Sequence, residues 1–396
     1  MKRRAFIRNS SLASSTLLIP SFIKAFDGTP SFLTGHKKLV IIQLSGGNDG
    51  LNTLVPFNND VYIKNRSTIA QKKTQLLSVT DELGFHESLK DFKTLYDNGY
   101  VSVMHNVGYP NPSRSHFRST DIWHTASASD EYLQTGWVGR YLEKVSKNPL
   151  GAIEVDDTLS LLMKGVDING IATKDAKLFY RTTQDPYFSN VLSQHSDTHL
   201  SEHNLGYLFK TALDAKSSAK YLYEKTKTYE SAADYPKNAF GKQLKTISEF
   251  INSGLETQVY YASLGGFDTH ANQVNAQKRL LAVYSKGIAT FMKDLKDTGA
   301  LKDTVVLTFS EFGRRLKQNA ANGTDHGAAN LVFLMGDDLK HKGMYNTPAN
   351  LVDLDANGDI KYEVDFRDIY ASLLKEWLQT EPSQILNGDF KTLGLV

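Results

Sequence analysis

Five short segments of the sequence carry side chains able to bind a metal ion or attack an ester, and four of them directly follow an apolar run. Carboxylate and imidazole groups bind zinc, manganese, magnesium and calcium in different proportions. The candidate metal ligands in these segments are Asp49, Asp268, His270, Glu311 and His326. The sequence therefore predicts a site for one or two divalent ions, assembled from residues that are far apart in the chain.

The first of these segments is the glycine-rich turn Gly46-Gly-Asn-Asp-Gly50, which follows the apolar run Leu39 to Leu44. The run is short and rich in branched residues, as in a strand buried on both faces of a parallel sheet. Glycines at the end of such a strand let the backbone approach a bound group closely. Asn48 and Asp49 then supply oxygen atoms, Asn48 to a substrate and Asp49 to a metal. The alternative is that Asn-Asp-Gly is only a turn.

The second segment places a serine where a helix is predicted to begin, near Ser115. A serine there is commonly an N-cap. The same position suits a nucleophile, since a helix N-terminus stabilises an alkoxide and binds anions. Ser115 is the leading candidate and Ser113 the second. Arg114 and His116 flank Ser115, and they are predicted to contact an anionic substrate and to donate a proton to a leaving group.

The remaining segments supply the later ligands. Asp268 and His270 lie two residues apart just past a predicted strand, so both side chains can reach one point. Glu311 follows the next strand, and Arg314 after it is a candidate for binding substrate oxyanions or for an ion pair. His326 stands between glycine-containing turns before an apolar run, which favours a ligand over a packed core histidine.

Apolar runs alternating with helical patterns predict an α/β fold with a doubly wound, mostly parallel sheet flanked by helices. The run 39–44, the helical pattern 87–96 and the run 100–107 form a βαβ unit, whose two strands must be parallel. We expect a single domain over residues 36–396. Within it, residues 160–255 are predicted to be a largely helical insertion, with aromatic side chains that either cap the sheet edge or belong to the core.

Composition excludes several classes of protein. The 396-residue sequence has 40% hydrophobic residues and a formal net charge of +2, so nothing in its charge predicts nucleic acid as a partner. It contains no cysteine, which excludes disulfides, thiolate metal ligands and a cysteine nucleophile. The segment Asp353 to Asp359 resembles a calcium loop, but Val364 occupies the position that requires glutamate. An Asn-Gly hairpin turn is the better interpretation.

Residues 1–30 are predicted to be a targeting segment. Paired arginines in Lys2-Arg3-Arg4 precede a mildly apolar stretch, Ser10 to Ile23, that is too short and polar to span a bilayer stably. This pattern matches a twin-arginine export signal, with processing near Ala25 or Gly28 or retention as an anchor. The alternative is a basic disordered tail. We expect a periplasmic or extracellular protein that meets the twin-arginine translocase during export.

Five motifs in this order resemble a large family of twin-arginine-exported bacterial proteins, catalogued as a domain of unknown function, number fifteen-zero-one. They are Gly-Gly-Asn-Asp-Gly, Arg-Ser-His-Phe, Gly-Phe-Asp-Thr-His, Ser-Glu-Phe-Gly-Arg and Gly-Thr-Asp-His-Gly. The likeness runs from about Lys38 to the end. The family looks like a sulfatase-like branch of the alkaline phosphatase superfamily, which places such residues around one or two metals.

The resemblance implies Asp49 and Glu311 on one metal side and Asp268, His270 and His326 on the other, with Ser115 or Ser113 as nucleophile. Two departures matter. Phe312 stands where alkaline phosphatases have a histidine, which puts a complete second metal site in doubt. A proline replaces the cysteine that sulfatases modify, so their formylglycine mechanism cannot operate.

These observations predict an exported hydrolase of phosphate or sulfate esters. It would use a divalent ion (zinc, calcium, magnesium or manganese) with a serine or a metal-bound water, on an anionic ester that a carbohydrate could carry. A second hypothesis is a catalytically degenerate, metal-stabilised binding or assembly protein acting with a co-exported partner at the cell surface. A third is carbohydrate processing, in which the aromatic middle region grips a sugar chain.

Overall fold

A computed structural model describes residues 37–186 and 204–396, with side chains considered for all of these except 204–214. The predicted export segment, residues 1–30, lies outside the described residues. Within the described ranges, no helix combines the length and the apolar character needed to cross a bilayer.

The main sheet is built from nine strands around β1, the strand predicted from the run Leu39 to Leu44. In order across the sheet they are β13 (Gly343–Met344), β5 (Val101–Gly108), β12 (Asn330–Met335), β9 (Thr304–Phe309), β1 (Lys38–Ser45), β8 (Val259–Gly265), β6 (Ala152–Glu154) and β7 (Ile171–Ala172), with β14 (Val364–Asp365) also paired to β5.

Most neighbouring strands are parallel. β1 pairs in parallel with both β8 and β9, and β8 with β6. β12 is antiparallel to both β9 and β5, so β5 runs in the same direction as β1, as the βαβ pattern predicts. The predicted α/β class with a mostly parallel sheet is therefore confirmed, and β12 makes the sheet mixed.

Eleven helical segments of α type connect the strands of the described residues. They are α1 (Gly50–Thr53), α2 (Asp60–Asn65), α3 (Lys90–Asp97), α4 (His116–Thr125), α5 (Trp137–Tyr141), α6 (Ala176–Thr183), α7 (Asn204–Thr226), α8 (Ala239–Asn252), α9 (Gln273–Asp297), α10 (Phe366–Ser372) and α11 (Ser383–Leu386). Two small antiparallel sheets complete the fold: β2 (Leu54–Pro56), β4 (Leu83–His86) and β3 (Leu76–Ser78), and the hairpin of β10 (Arg314–Gln318) and β11 (Thr324–His326).

Helices cover both faces of the sheet, because alternate residues of each strand point to opposite sides. On one face, Val40 and Ile42 of β1 pack with the apolar stripes of α3, α8 and α9. On the other, Leu39 and Ile41 pack with α4, α5 and α10. A strand buried on both sides explains the continuous apolar run that located β1 in the sequence.

The segment 160–255 contributes residues to more than one part of the fold. Its last helix, α8, lies in the main core, where Phe240, Leu244 and Ile247 pack with the α9 residue Tyr284. This part of the segment is therefore a layer of the core. The predicted Asn-Gly turn is found at Leu354–Ile360, which form an isolated antiparallel bridge.

Strand register brings three loops to one edge. Ser45 of β1 lies beside Gly265 of β8, and Gln43 lies beside Phe309 of β9. The segments that begin at Gly46, at Gly266 and at Ser310 therefore leave the sheet side by side. This is the edge at which ligands bind in open α/β sheets.

A buried carboxyl group in β6 makes stability depend on pH. Glu154 is 3% exposed, and its Oε2 accepts a hydrogen bond from the backbone N–H of Ser160. Burial raises the pKa of Glu154 to about 7, from 4.5. Between these values the folded state keeps a proton that the unfolded state releases, so the free energy of unfolding falls as pH rises.

We expect Glu154→Gln to stabilise the protein relative to wild type by roughly 3 kcal/mol at pH 8 and by almost nothing at pH 4. The measurement is urea unfolding at both pH values. Glu256→Gln, at an exposed position in the loop before β8, is the control. An equal effect of Glu154→Gln at the two pH values would contradict the assignment.

Candidate metal centre

Three imidazole rings converge on one carboxylate oxygen at the edge of the sheet. Asp268 Oδ1 lies 3.3 Å from His116 Nε2, 3.1 Å from His270 Nε2 and 3.2 Å from His326 Nε2. Ligand atoms of His116, Asp268 and His326 all lie within 4.8 Å of one another, the one such group found among residues 37–186 and 204–396. Asp268, His270 and His326, predicted to share one metal side, are thus brought together, and His116 joins them.

Three different elements carry these four side chains. Asp268 and His270 lie in the loop after β8, and His326 ends β11, paired with Arg314 of β10. His116 is the first residue of α4, which begins after the loop that follows β5. A residue from each loop reaches the cluster because the strands before the loops end at the same edge.

Each of the three imidazoles has its other ring nitrogen held by an acceptor. His116 Nδ1–H donates to Glu311 Oε1 at 2.8 Å, and His326 Nδ1–H donates to the carbonyl of Arg114 at 2.7 Å. His270 Nδ1–H donates to Asp325 Oδ1 at 3.3 Å. Metal-binding histidines characteristically make such bonds, which fix the tautomer and the ring orientation.

This tautomer leaves an Nε2 lone pair on each of the three rings, and all three Nε2 atoms lie within 3.3 Å of Asp268 Oδ1. His270 Nε2 and His326 Nε2 are only 2.8 Å apart, and two lone pairs at that distance repel unless a cation lies between them. His116 Nε2 is buried, and its contact with Asp268 lacks the geometry of a hydrogen bond. The donor set therefore fits a divalent cation held by imidazole nitrogen and one carboxylate.

The carboxylate of Asp268 is ionised in this setting. Burial raises its pKa, but the hydrogen bond and the positive charge of the Arg314 guanidinium outweigh that effect and hold the pKa well below its usual range. The pKa of His116 is raised, chiefly by its hydrogen bond to Glu311 and against the effect of burial. A metal ion must therefore compete with a proton at His116.

Glu311 stands behind His116 instead of beside the other ligands. It is 1% exposed, and its Oε1 also accepts the backbone N–H of Gly46 at 2.8 Å. Its Oε2 faces the amide of Gln43 at 3.3 Å. Glu311, predicted as a metal ligand, is found as the acceptor that orients a histidine.

Asp49, also predicted as a ligand, has one of its two carboxylate oxygens engaged by other residues. Its Oδ2 forms an ion pair with Arg66 at 2.5 Å and accepts a hydrogen bond from Gln273. Both Asp49 and Arg66 are fully buried, and Arg66 also donates to the β10 carbonyls of Arg315 and Leu316. The pair connects the loop after β1 to the β10–β11 hairpin, so its position serves the fold of the site.

Arg314, predicted to bind substrate, is buried and fully occupied by the protein. Its guanidinium donates to Asp268 Oδ1 at 2.8 Å and to the carbonyls of Gly46, Gly47, Phe267 and Thr324. These groups belong to the loops after β1 and β8 and to β11. The predicted ion pair is therefore the role that Arg314 has, with Asp268 as its partner.

Two other predicted substrate contacts are likewise engaged. Arg114 forms an ion pair with the buried Asp359, 2.5 Å away. Asn48 is 2% exposed, and its side chain exchanges hydrogen bonds with Thr53. Neither group is directed at the cluster, because each has a polar partner elsewhere.

Ser115 is the N-cap residue of α4, as predicted, but its hydroxyl makes no capping hydrogen bond. It is exposed and directly precedes His116. Ser113 is half-buried, and its Oγ accepts the backbone N–H of Ser115 at 3.2 Å. Of the two candidate nucleophiles, Ser115 therefore has the freer hydroxyl.

Close backbone packing surrounds the cluster. Gly46 has φ +116°, and a Cβ there would lie 2.4 Å from the backbone nitrogen of Asp268. A Cβ at Gly323 would lie 2.3 Å from the carbonyl carbon of His270. Only glycine allows these approaches, which bring the loops together.

An aromatic wall closes one side of the cluster. The ring of Phe312, 2% exposed, packs 4.8 Å from that of His116 and 4.7 Å from that of His326. The cluster is open elsewhere, since the side chains of Asp268 and His270 are 48% and 44% exposed. Solvent can therefore reach it past these two residues.

Several site residues were not anticipated from the sequence. His116 was predicted as a proton donor and not as a metal ligand. Its place at the start of a helix on the same edge as the predicted ligands was the signal that could have indicated a ligand. Asp325 and Gln273 carry no distinguishing pattern, and Arg66 is 17 residues from its partner Asp49. Their roles depend on contacts between loops.

These features define an α/β protein with a histidine-rich candidate metal centre at the carboxyl edge of its sheet. A family model described as "protein of unknown function (DUF1501)" matches residues 100–380. The chain belongs to this family, as its motifs predicted. Four of the five motifs lie within the match, and the motif Gly46 to Gly50 lies before it. Curated proteins gave no match to the sequence.

Solved structures give weaker likenesses. The C-terminal periplasmic domain of EcEptC from Escherichia coli has a TM-score of 0.41 and 12% identity, with 93% of this chain and 94% of that chain covered. The lipoteichoic acid synthase LtaP from Listeria monocytogenes has a TM-score of 0.41 and 11% identity, covering 91% and 77%. The PsFucS1 sulfatase from Pseudoalteromonas sp. has a TM-score of 0.38 and 11% identity, covering 98% and 74%.

We expect Asp49→Ala to lower the free energy of unfolding by about 3–5 kcal/mol, because it leaves the Arg66 guanidinium buried without its counter-charge. The loss should be the same with added zinc and with a chelator, as measured by denaturant unfolding. The double variant Asp49→Ala/Arg66→Met, which removes both charges, should recover most of it. A variant of normal stability that no longer binds metal would instead make Asp49 a ligand.

Proposed function

We propose that this protein binds one divalent metal ion through His116, Asp268, His270 and His326 and hydrolyses phosphate or sulfate esters with it. The observation that carries the proposal is the convergence of three imidazole Nε2 atoms on Asp268 Oδ1, with every Nδ1 held by an acceptor. Such an arrangement is typical of a metal centre with its supporting groups.

The donor set favours zinc or a similar first-row transition ion. Imidazole nitrogen suits zinc, whereas calcium and magnesium prefer oxygen ligands throughout. One ion is proposed rather than two. Asp49 and Glu311, the residues expected at a second position, have protein partners, and the Phe312 ring fills the place expected for a further histidine.

The chain's own residues would bind and orient an anionic ester at the open side of the cluster. A divalent ion bound there would supply Lewis-acid activation of an oxygen nucleophile and would neutralise developing negative charge. Ser115 presents a free hydroxyl beside His116, at a helix start where backbone N–H groups favour an anion. Phe312 excludes water from the closed side.

The proposed substrate is an anionic ester, including one carried on a carbohydrate. We also propose that the protein acts in the periplasm or outside the cell after export by the twin-arginine route. This part rests on the arginine pair and the apolar stretch within residues 1–30. No nucleic-acid partner is proposed.

A second candidate function is a binding or assembly protein stabilised by its metal, acting with a co-exported partner. The observation that favours it is the engagement of Arg114 and Arg314 by the protein, since these are the charges expected to hold an ester oxyanion. Such a protein would lose thermal stability when its metal is removed, would co-purify with its partner, and would turn over no ester.

We expect the purified protein to contain one metal ion per chain and to hydrolyse an aryl phosphate or an aryl sulfate. His326→Ala should lower metal affinity more than 100-fold and abolish turnover, because it removes a ligand. His341→Ala, which removes an exposed histidine outside the cluster, is the matched control. Metal analysis and chromogenic assays are the measurements. Full metal content in His326→Ala would contradict the proposed centre.

The two candidate nucleophiles can be separated by single substitutions. We expect Ser115→Ala to lower kcat by about 10³-fold or more with metal stoichiometry unchanged, as loss of a nucleophile does. Ser113→Ala should retain most turnover, because the Ser113 Oγ is already hydrogen-bonded to a backbone N–H. If Ser115→Ala keeps wild-type kcat, the serine role is wrong and water is the nucleophile.

A further inference from the structure

Gln43 is a polar residue on the otherwise apolar face of β1, where it follows Leu39 and Ile41. It is 2% exposed, in the central strand of the sheet. An amide there must satisfy its hydrogen bonds inside the protein, since an unpaired buried polar group is costly. Its four partners lead to the candidate metal centre.

The amide of Gln43 has one possible orientation. Tyr261 OH donates to Gln43 Oε1 at 2.7 Å, and His124 Nε2 lies 3.1 Å from the same oxygen. The Nε2 of Gln43 therefore points the other way and donates to Glu311 Oε2 at 3.3 Å. A carboxylate only accepts hydrogen bonds, so with this orientation of the amide each group in the network from Tyr261 to Glu311 has a hydrogen-bond partner. Burial lowers the pKa of His124 to about 4, which keeps its ring neutral.

The same contacts hold one face of α4 against β1. His116, Thr120 and His124 are spaced by four residues, which puts them on one side of the helix. Gln43 contacts the last two, with Nε2 3.5 Å from Thr120 Oγ1, and Glu311 contacts the first. The position of His116 relative to Glu311 thus depends on a rigid helix that is also fixed farther along.

We propose that Gln43 is a positioning residue for the metal centre. With its amide fixed by Tyr261 and His124, it holds Glu311 where that carboxylate accepts Nδ1–H of His116, which leaves His116 Nε2 free for the metal. This inference rests on the proposed function, since it concerns the same ion. It adds three buried groups, none of them a ligand, on which metal affinity depends.

The test uses the full chain, freed of metal with a chelator and titrated with Co²⁺, whose visible spectrum reports the ligand geometry. Gln43→Met keeps a similar volume and removes the bonds to Glu311, His124 and Tyr261. We expect it to weaken Co²⁺ binding 10- to 100-fold, the usual effect of losing an outer-shell partner of a ligand, and to change the spectrum. Tyr261→Phe should weaken binding by a smaller factor.

Tyr284→Phe is the matched control. Tyr284 is as buried as Tyr261, and its hydroxyl donates to Thr308 Oγ1 at 3.0 Å, outside this network. Both tyrosine variants lose one buried hydrogen bond, so both should show a small, similar drop in the Tm of the metal-free protein. Only Tyr261→Phe should alter Co²⁺ affinity and spectrum, which separates positioning from general stability.

Wild-type affinity and spectrum in both Gln43→Met and Tyr261→Phe would overturn the inference while leaving the metal centre intact. If Gln43→Met does not fold, Tyr261→Phe decides, because it removes one hydroxyl at constant shape. Failure of the wild-type protein to bind Co²⁺ or Zn²⁺ would be a different result. It would refute the proposed function and this inference with it.

Discussion

The site depends on the hydrogen bonds and the ion pair that the buried guanidinium of Arg314 makes. The guanidinium joins the carbonyls of the two glycines after β1 to those of Phe267 and Thr324, and it binds Asp268 directly. Arginine suits this position because its planar group carries five donors in fixed directions, whereas lysine offers a point charge. Without this residue, two loops and strand β11 would present unpaired carbonyls to one another, and the Asp268 carboxylate would lose its fixed place.

The sheet makes that interaction possible. Parallel strands that end together deliver their loops to one edge, and the register of β1 with β8 and β9 sets those ends within two residues of each other. Glycine at 46 then allows the loop after β1 to touch the backbone of Asp268. The backbone packing and the ion pair therefore support each other. The first brings the loops close, and the second satisfies the polar groups that this closeness buries.

Much of the fold could be read from the sequence, because periodicity reports burial. The apolar run Leu39 to Leu44 identified a central strand, and the helical pattern 87–96 identified α3 (Lys90–Asp97). The β2–β4 sheet was not anticipated, since its strands have only three or four residues and lie in a segment with turn signals. Ligand-type residues at strand ends could also be located. Their partners could not, because Arg66 and Gln43 meet Asp49 and Glu311 through tertiary packing alone.

The three acidic residues predicted as metal ligands show why residue type does not settle a role. Asp49 and Glu311 are each 1% exposed. The Asp49 carboxylate is paired with an arginine, and the Glu311 carboxylate accepts hydrogen bonds from a histidine and a backbone N–H. Asp268 is half exposed and shares one oxygen among three imidazoles. A fully buried carboxylate needs partners to remain ionised, and these partners engage Asp49 Oδ2 and both oxygens of Glu311. The exposed one keeps both its charge and an open approach, and for that physical reason the proposed metal site is centred on Asp268.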